Sequence, residues 1–192
     1  MSILLVLACH WLPMPPRELH LNHAAGAAGM ALFFTLSGFL IVSFLAAGAP
    51  LGAFMLRRAA RIVPLAWLAL LILMTWRPYD AGTIARNLLF TANLPPASLL
   101  DGGHHLWSLG VEMQFYALAA LLCFAFGRTR GLLLVPLLCV AVTVARVVAR
   151  EPISIVTWHR IDEVLAGGML ALIYAGRFGS REWLARVPTG RW

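Results

Sequence analysis

Four polar side chains lie in the run HLWSLGVEMQFYAL, residues 105–118, of a chain that is otherwise strongly apolar. They are His105, Ser108, Glu112 and Tyr116. On a helix turning about 100° per residue they fall within roughly one quarter of the circumference. A carboxylate near the centre of a membrane helix costs about 2.5–3.5 kcal/mol to insert. We therefore expect this stripe to face a polar cavity; the alternative is a structural hydrogen bond or ion pair that fixes helix packing.

A single histidine, His10, ends the first apolar segment. A lone imidazole at such a place is often a satisfied interfacial residue. It is also the only side chain of that segment able to act as a general base near neutral pH. Both interpretations stay open from the residues alone.

Two arginines of the run LRRAAR, Arg58 and Arg61, are spaced i, i+3 and so share one helical face. Guanidinium groups bind phosphates through paired hydrogen bonds, which suits a phosphorylated donor. The competing interpretation is a membrane boundary that contacts lipid headgroups.

The run HRIDEVLAGG groups four ionisable side chains, at His159, Arg160, Asp162 and Glu163. The pairs Arg160–Glu163 and His159–Glu163 have the spacing of surface salt links on a helix, and a direct role at a site is an equal alternative. The histidine pairs His20/His23 and His104/His105 lack a carboxylate or thiolate at ligand spacing, so no metal site is predicted.

Composition indicates the environment that must hold these residues. The chain has 192 residues, of which 61% are hydrophobic and 12% charged, and its mean hydropathy is +0.83. A soluble domain usually carries about twice that share of charged residues. All of the positive charge comes from arginines in short connectors, which favours membrane topology over nucleic-acid binding. The cysteines lie in apolar runs without paired spacing, so neither disulfides nor a thiolate metal site is predicted.

The apolar runs predict one all-α domain over residues 1–192, a polytopic transmembrane bundle of about six spans. The predicted spans are 3–8 (an incomplete first helix whose beginning is missing), 30–47, 63–76, 106–126, 132–148 and 161–175, with a short amphipathic helix at 83–90. The distribution of arginines over the connectors places LRRAAR in the cytoplasm. His10, Glu18, Asp101, His105 and Arg160 are then expected toward the outer face.

Four segments resemble the acyltransferase family 3 integral membrane proteins, in the family's order and over nearly all of the chain. They are GMALFFTLSGFLI (29–41), FMLRRAARIVP (54–64), HLWSLGVEMQFYAL (105–118) and RIDEVLAGGMLA (160–171). The resemblance implies a bacterial inner-membrane enzyme of roughly ten spans that transfers an acyl group, usually acetyl, from cytoplasmic acyl-CoA. The acceptor is implied to be a hydroxyl of an extracytoplasmic carbohydrate or glycolipid, such as lipopolysaccharide or peptidoglycan, and acyl-CoA is a co-substrate with no further cofactor.

The same resemblance implies roles for individual residues. His10 matches the family's first-helix histidine, as base or acyl carrier, and Glu112 would orient it. Arg58 and Arg61 match the motif expected to bind the donor. The residues expected to line the cavity or bind the acceptor are His105, Trp107, Ser108, Tyr116, Arg160 and Asp162.

Two departures from the family pattern lead to competing hypotheses. Ala31 stands where relatives often carry a polar residue, and the chain ends at Trp192 where relatives continue for several spans. We expect a fragment of the family, whose activity alone is in question. A non-catalytic remnant is the main rival hypothesis. A membrane transporter or channel in which Glu112 and His10 relay protons is another, although no internal repeat supports it.

Overall fold

The computed structural model describes residues 2–11, 21–151 and 154–177, and every regular element in those ranges is a helix. The long helices are α1 (Ser2–Trp11), α2 (Leu21–Ala46), α3 (Leu51–Met74), α5 (Trp107–Phe126), α6 (Arg128–Val148) and α8 (Asp162–Tyr174); α4 (Ala81–Leu88) and α7 (Thr157–Arg160) are short. A 3₁₀ turn, His104–Leu106, leads into α5. The predicted all-α membrane bundle is confirmed.

Within the described ranges, three helices are long and apolar enough to cross a membrane by themselves: α2, α5 with its leading turn, and α6. Their outward faces are also apolar. On α2 the side chains of Leu32, Leu36, Leu40 and Phe44 recur every fourth residue and are exposed. A helix that is apolar both toward the bundle and away from it is typical of a lipid environment.

Two predicted boundaries were wrong. The run LRRAAR, predicted as a connector, lies inside α3, because leucine, arginine and alanine all favour helix and Pro64 interrupts only locally. Likewise α2 begins at Leu21 and not near residue 30, since the run LNHAAGAAG continues the helix. The predicted positions of α4, α5, α6 and α8 agree with the structure to within a few residues.

Helix α1 packs against small residues in the first half of α2. A Cβ on Gly26 would lie 2.8 Å from the Cys9 sulfur, and one on Gly29 would lie 2.9 Å from the Ser2 carbonyl oxygen. Asn22 Nδ2 donates to the Cys9 carbonyl oxygen at 2.8 Å. The two helices therefore run antiparallel, with the end of α1 next to the beginning of α2.

The second half of α2 crosses α8 at two glycines. A Cβ on Gly38 would lie 1.8 Å from the Val164 carbonyl oxygen, and one on Gly167 would lie 1.9 Å from the Thr35 carbonyl oxygen. Small residues allow such close backbone approach between membrane helices. This crossing holds the start of α8, with its charged residues, against the middle of α2.

Candidate functional site

The buried carboxylate of Glu112 forms the centre of one polar cluster. Only 5% of Glu112 is exposed, and its Oε1 accepts hydrogen bonds from the Ser37 and Tyr116 hydroxyl groups. Ser37 comes from α2, whereas Tyr116 lies one turn further along α5. An acceptor with two hydroxyl donors is the arrangement that makes a buried carboxylate tolerable.

The polar stripe predicted on α5 is divided in the structure. Glu112 and Tyr116 are buried together, but Ser108 donates to the His105 carbonyl oxygen at 3.0 Å. His105 is exposed and lies in the 3₁₀ turn before α5. The helical spacing that predicted one continuous stripe does not apply there, because α5 begins at Trp107.

Arg58 lies against this cluster through aromatic contacts. Its guanidinium carbon is 5.6 Å from the Tyr116 ring centroid and 5.7 Å from that of Phe54, within the range of cation–π interaction. Arg58 is half-buried, whereas Arg61, one turn further along α3, is exposed and makes no hydrogen bond or ion pair with the described residues. Of the two predicted donor-binding arginines, the structure brings Arg58 together with Tyr116.

A second polar cluster surrounds the start of α8. Arg146 Nη1 donates to Asp162 Oδ1 at 3.2 Å, and Arg146 Nη2 forms an ion pair with Asp162 Oδ2 at 3.1 Å. Arg160 pairs with Glu163 Oε1 at 3.2 Å. This pair has the predicted i, i+3 spacing, but Arg160 is buried, so it is not a surface link. His159 makes no ion pair with Glu163; its ring lies beside that of Trp158 instead.

Trp107 lies between the charged cluster and α2. The Arg160 guanidinium carbon is 5.9 Å from the Trp107 ring centroid, and the Phe34 ring meets that of Trp107 edge-on at 5.8 Å. Thr35 donates to the Glu163 carbonyl oxygen at 3.4 Å. Since Thr35 and Ser37 are close neighbours on α2, the charged cluster and the Glu112 cluster occupy the same level of the bundle.

The predicted catalytic histidine is located only through its backbone. His10 belongs to the last turn of α1, and its side chain lies outside the described residues. The neighbouring Cys9 contacts Asn22, which precedes Ser37 by four turns of α2, about 22 Å. The described contacts of Glu112 are with Ser37 and Tyr116, so they do not bring it together with His10.

Several polar residues at the site were missed by sequence reasoning. Asn93, Gln114 and Thr157 form a closed ring of hydrogen bonds of 2.6–2.9 Å that joins the loop after α4 to α5 and α7. Arg146 and Ser37 were also missed. Ser37 lies within GMALFFTLSGFLI, one of the four segments that resemble the family, whereas nothing in the sequence connects Arg146 with Asp162, sixteen residues away.

The two clusters differ in the chemical groups that they contain. One has a buried carboxylate beside two hydroxyl groups and an arginine; the other has two arginines balanced by two carboxylates. Within the described ranges, no group of three or more His, Cys, Asp or Glu side chains could hold a metal ion. Such an arrangement suits polar and anionic ligands and hydrogen bonding in a low-dielectric interior.

The family model described as "Acyltransferase domain", for acyltransferase family 3, matches residues 1–186. No curated protein and no solved structure matches the chain.

Proposed function

The chain belongs to acyltransferase family 3, a family of integral membrane acyltransferases, and we propose the reaction that it catalyses. It transfers an acyl group, most simply acetyl, from acyl-CoA to a hydroxyl group of an extracytoplasmic carbohydrate or glycolipid. The observation that carries the proposal is the match of the acyltransferase domain over nearly the whole chain. Acyl-CoA and the carbohydrate acceptor are the partners, and the bacterial inner membrane is the proposed location.

In this proposal Arg58 and Arg61 bind phosphate groups of the donor. Arginine suits phosphate because its planar guanidinium donates two parallel hydrogen bonds. Support comes from the position of Arg58, which is half-buried against Tyr116, and from the exposure of Arg61 one turn away. The proposed orientation places this end of α3 at the cytoplasmic side.

His10 is the proposed base or acyl carrier at the other end of the path. As base it would remove the proton of the acceptor hydroxyl while that oxygen attacks the thioester carbonyl. The C–S bond then breaks, and the CoA thiolate leaves and takes up a proton. Because an acyl-CoA is an extended molecule, its phosphates and its thioester can act at different levels of the bundle.

Glu112 is proposed to shape the middle of that path. Its hydrogen bonds with Ser37 and Tyr116 fix the Tyr116 ring, and that ring in turn contacts Arg58. Orientation of His10 by Glu112 stays a prediction. Arg160, Asp162 and Trp107 are proposed to bind the acceptor. Ser108 and His105 are proposed to line the entrance of the acceptor site.

Label transfer from radioactive acetyl-CoA tests the proposal. Membranes containing the chain are incubated with the donor, and label in the carbohydrate and glycolipid fractions is counted. We expect Arg58→Ala to raise the KM for acetyl-CoA about 10- to 100-fold, as expected for loss of a charge-assisted contact. His10→Ala should abolish transfer.

The matched control is Arg57→Ala, which removes the same charge from an exposed neighbour on α3. It should leave the KM within a factor of about two, the scale of a screened surface charge. Absence of transfer with the wild-type chain, or equal effects of the Arg57 and Arg58 substitutions, would refute the proposal.

A further inference from the structure

Two buried atoms of the charged cluster at α8 lack a partner. Arg160 Nε and Glu163 Oε2 are both buried, and neither forms a hydrogen bond with the residues that the structure describes. Arg160 as a whole is 94% buried, as its relative exposure is 6%. Buried polar atoms of native proteins are nearly always satisfied, so an unsatisfied pair indicates something that completes it.

One terminal nitrogen of Arg160 and the other carboxylate oxygen of Glu163 are already engaged. Arg160 Nη1 pairs with Glu163 Oε1 at 3.2 Å, and the Arg160 guanidinium also contacts the Trp107 ring. Arg146 holds Asp162 through one hydrogen bond and one ion pair, and its Nη1 lies 4.0 Å from Glu163 Oε1. These contacts hold Arg160 and Glu163 in place, while Arg160 Nε and Glu163 Oε2 have no partner among the described residues.

The hydrogen-bonding properties of Arg160 Nε and Glu163 Oε2 indicate which chemical group would bind between them. Arg160 Nε is a donor and the Glu163 carboxylate oxygen is an acceptor. A hydroxyl group satisfies both, because its oxygen accepts from the arginine while its hydrogen is donated to the carboxylate. Since Arg146 and Arg160 are balanced by Asp162 and Glu163, the cluster has no net charge to attract an anion or a cation.

We propose that Arg160 and Glu163 bind one hydroxyl group of the acceptor, with Glu163 as a specificity-determining residue. The proposal rests on the function proposed above and adds a residue that neither spacing nor the family resemblance assigned to the acceptor. Arg146 and Asp162 are positioning residues, which hold the pair through the Arg146 guanidinium. The side chains of Arg146 and Glu163 are 23% and 18% exposed, so the cluster is not fully enclosed by the bundle.

Equilibrium binding tests this proposal without requiring turnover. Purified protein in a sugar-free detergent is dialysed against tritiated methyl glycosides of glucose, galactose, rhamnose and N-acetylglucosamine. We expect saturable binding of at least one glycoside and a loss of affinity of about 10-fold or more in Glu163→Gln, as expected for loss of a hydrogen bond to a charged group. Glu151→Gln, at an exposed glutamate, is the matched control and should bind as the wild type does.

Deoxy analogues of the glycoside that binds identify the hydroxyl group. The analogue lacking it should bind weakly to the wild type and should lose nothing further in Glu163→Gln, because the two changes remove the same hydrogen bond. Arg160→Lys, which keeps the charge but not the Nε donor, provides a second variant if Glu163→Gln does not fold. It should weaken binding of the parent glycoside and not that of the deoxy analogue.

The two proposals can fail separately. No saturable binding of any glycoside, or unchanged affinity in the folded Glu163 and Arg160 variants, overturns the hydroxyl site and indicates that water satisfies the pair. Acetyl transfer from the labelled donor would be unaffected by that outcome. Glycoside binding without any transfer would instead refute the proposed reaction.

Discussion

At the scale of single residues, the hydrogen bond from Tyr116 to Glu112 is the most specific contact of the candidate site. It joins a fully buried phenol to a buried carboxylate one helical turn away. A hydrogen bond to a charged group contributes about 1.5–3 kcal/mol, compared with about 0.5–1.5 kcal/mol between neutral groups. The charge on Glu112 should therefore determine how much the Tyr116 hydroxyl stabilises the protein.

We predict that Tyr116→Phe lowers the free energy of unfolding by about 1.5–3 kcal/mol, since it removes one donor and keeps the ring. In the Glu112→Gln background the same substitution should cost only about 0.5–1.5 kcal/mol. Unfolding in mixed micelles measures both differences. An equal cost in the two backgrounds would mean that the carboxylate is not charged or not bonded to Tyr116.

Residue types were predicted from sequence more successfully than residue partners. Helical spacing predicted that Glu112 and Tyr116 share one face of a helix, and both lie well inside α5 and are buried there. Their partner Ser37 lies 75 residues away on α2, and helix periodicity carries no information about which helices pack together. Arg146 was missed for the same reason, although it contacts both carboxylate oxygens of Asp162.

At the scale of helices, the crossing of α2 and α8 positions both clusters. Thr35 and Ser37 on α2 contact Glu163 and Glu112 respectively, while Gly38 and Gly167 let the two backbones approach. Helix separation at this crossing would therefore change the distance between the clusters directly.

We predict that Gly38→Ala disrupts this packing. Its Cβ would lie 1.8 Å from a backbone carbonyl oxygen, which cannot move as a side chain does. The free energy of unfolding should therefore fall by at least about 1–3 kcal/mol, the cost of overpacking a core. Size-exclusion chromatography in detergent and the thermal midpoint measure the effect. Gly52→Ala on α3 is the control: no atom lies within 4 Å of its Cβ, so it should be neutral or stabilising. Equal behaviour of the two variants would contradict the close crossing.

Helix positions followed from hydropathy, but helix ends did not. The run LRRAAR was predicted to be a connector because of its charged residues, whereas it lies inside α3. Residues 21–29 were predicted to precede the span, whereas they form the first part of α2. Their small side chains are nevertheless what allows α1 to pack there.

At the scale of the whole molecule, the polar groups are concentrated inside a bundle with apolar outer faces. On α6 the exposed side chains include Leu133, Leu137, Val140 and Val144, which repeat every three or four residues. Glu112, Arg160 and Asp162 are instead buried. Burying ionisable groups in a membrane protein is costly, so their retention on interior faces indicates a function beyond packing.

The most direct test of this account is acyl transfer by Glu112→Gln. The substitution keeps the size of the side chain and an oxygen acceptor for Ser37 and Tyr116, so the variant should fold as the wild type does in the chromatographic assay. We predict that transfer of label from acetyl-CoA falls by about 100-fold, the loss that a misplacement of about 1 Å along the path can cause. The exposed Glu151→Gln variant should transfer normally. A folded Glu112→Gln protein with unchanged transfer would contradict the claim that this buried carboxylate belongs to the path of acyl transfer.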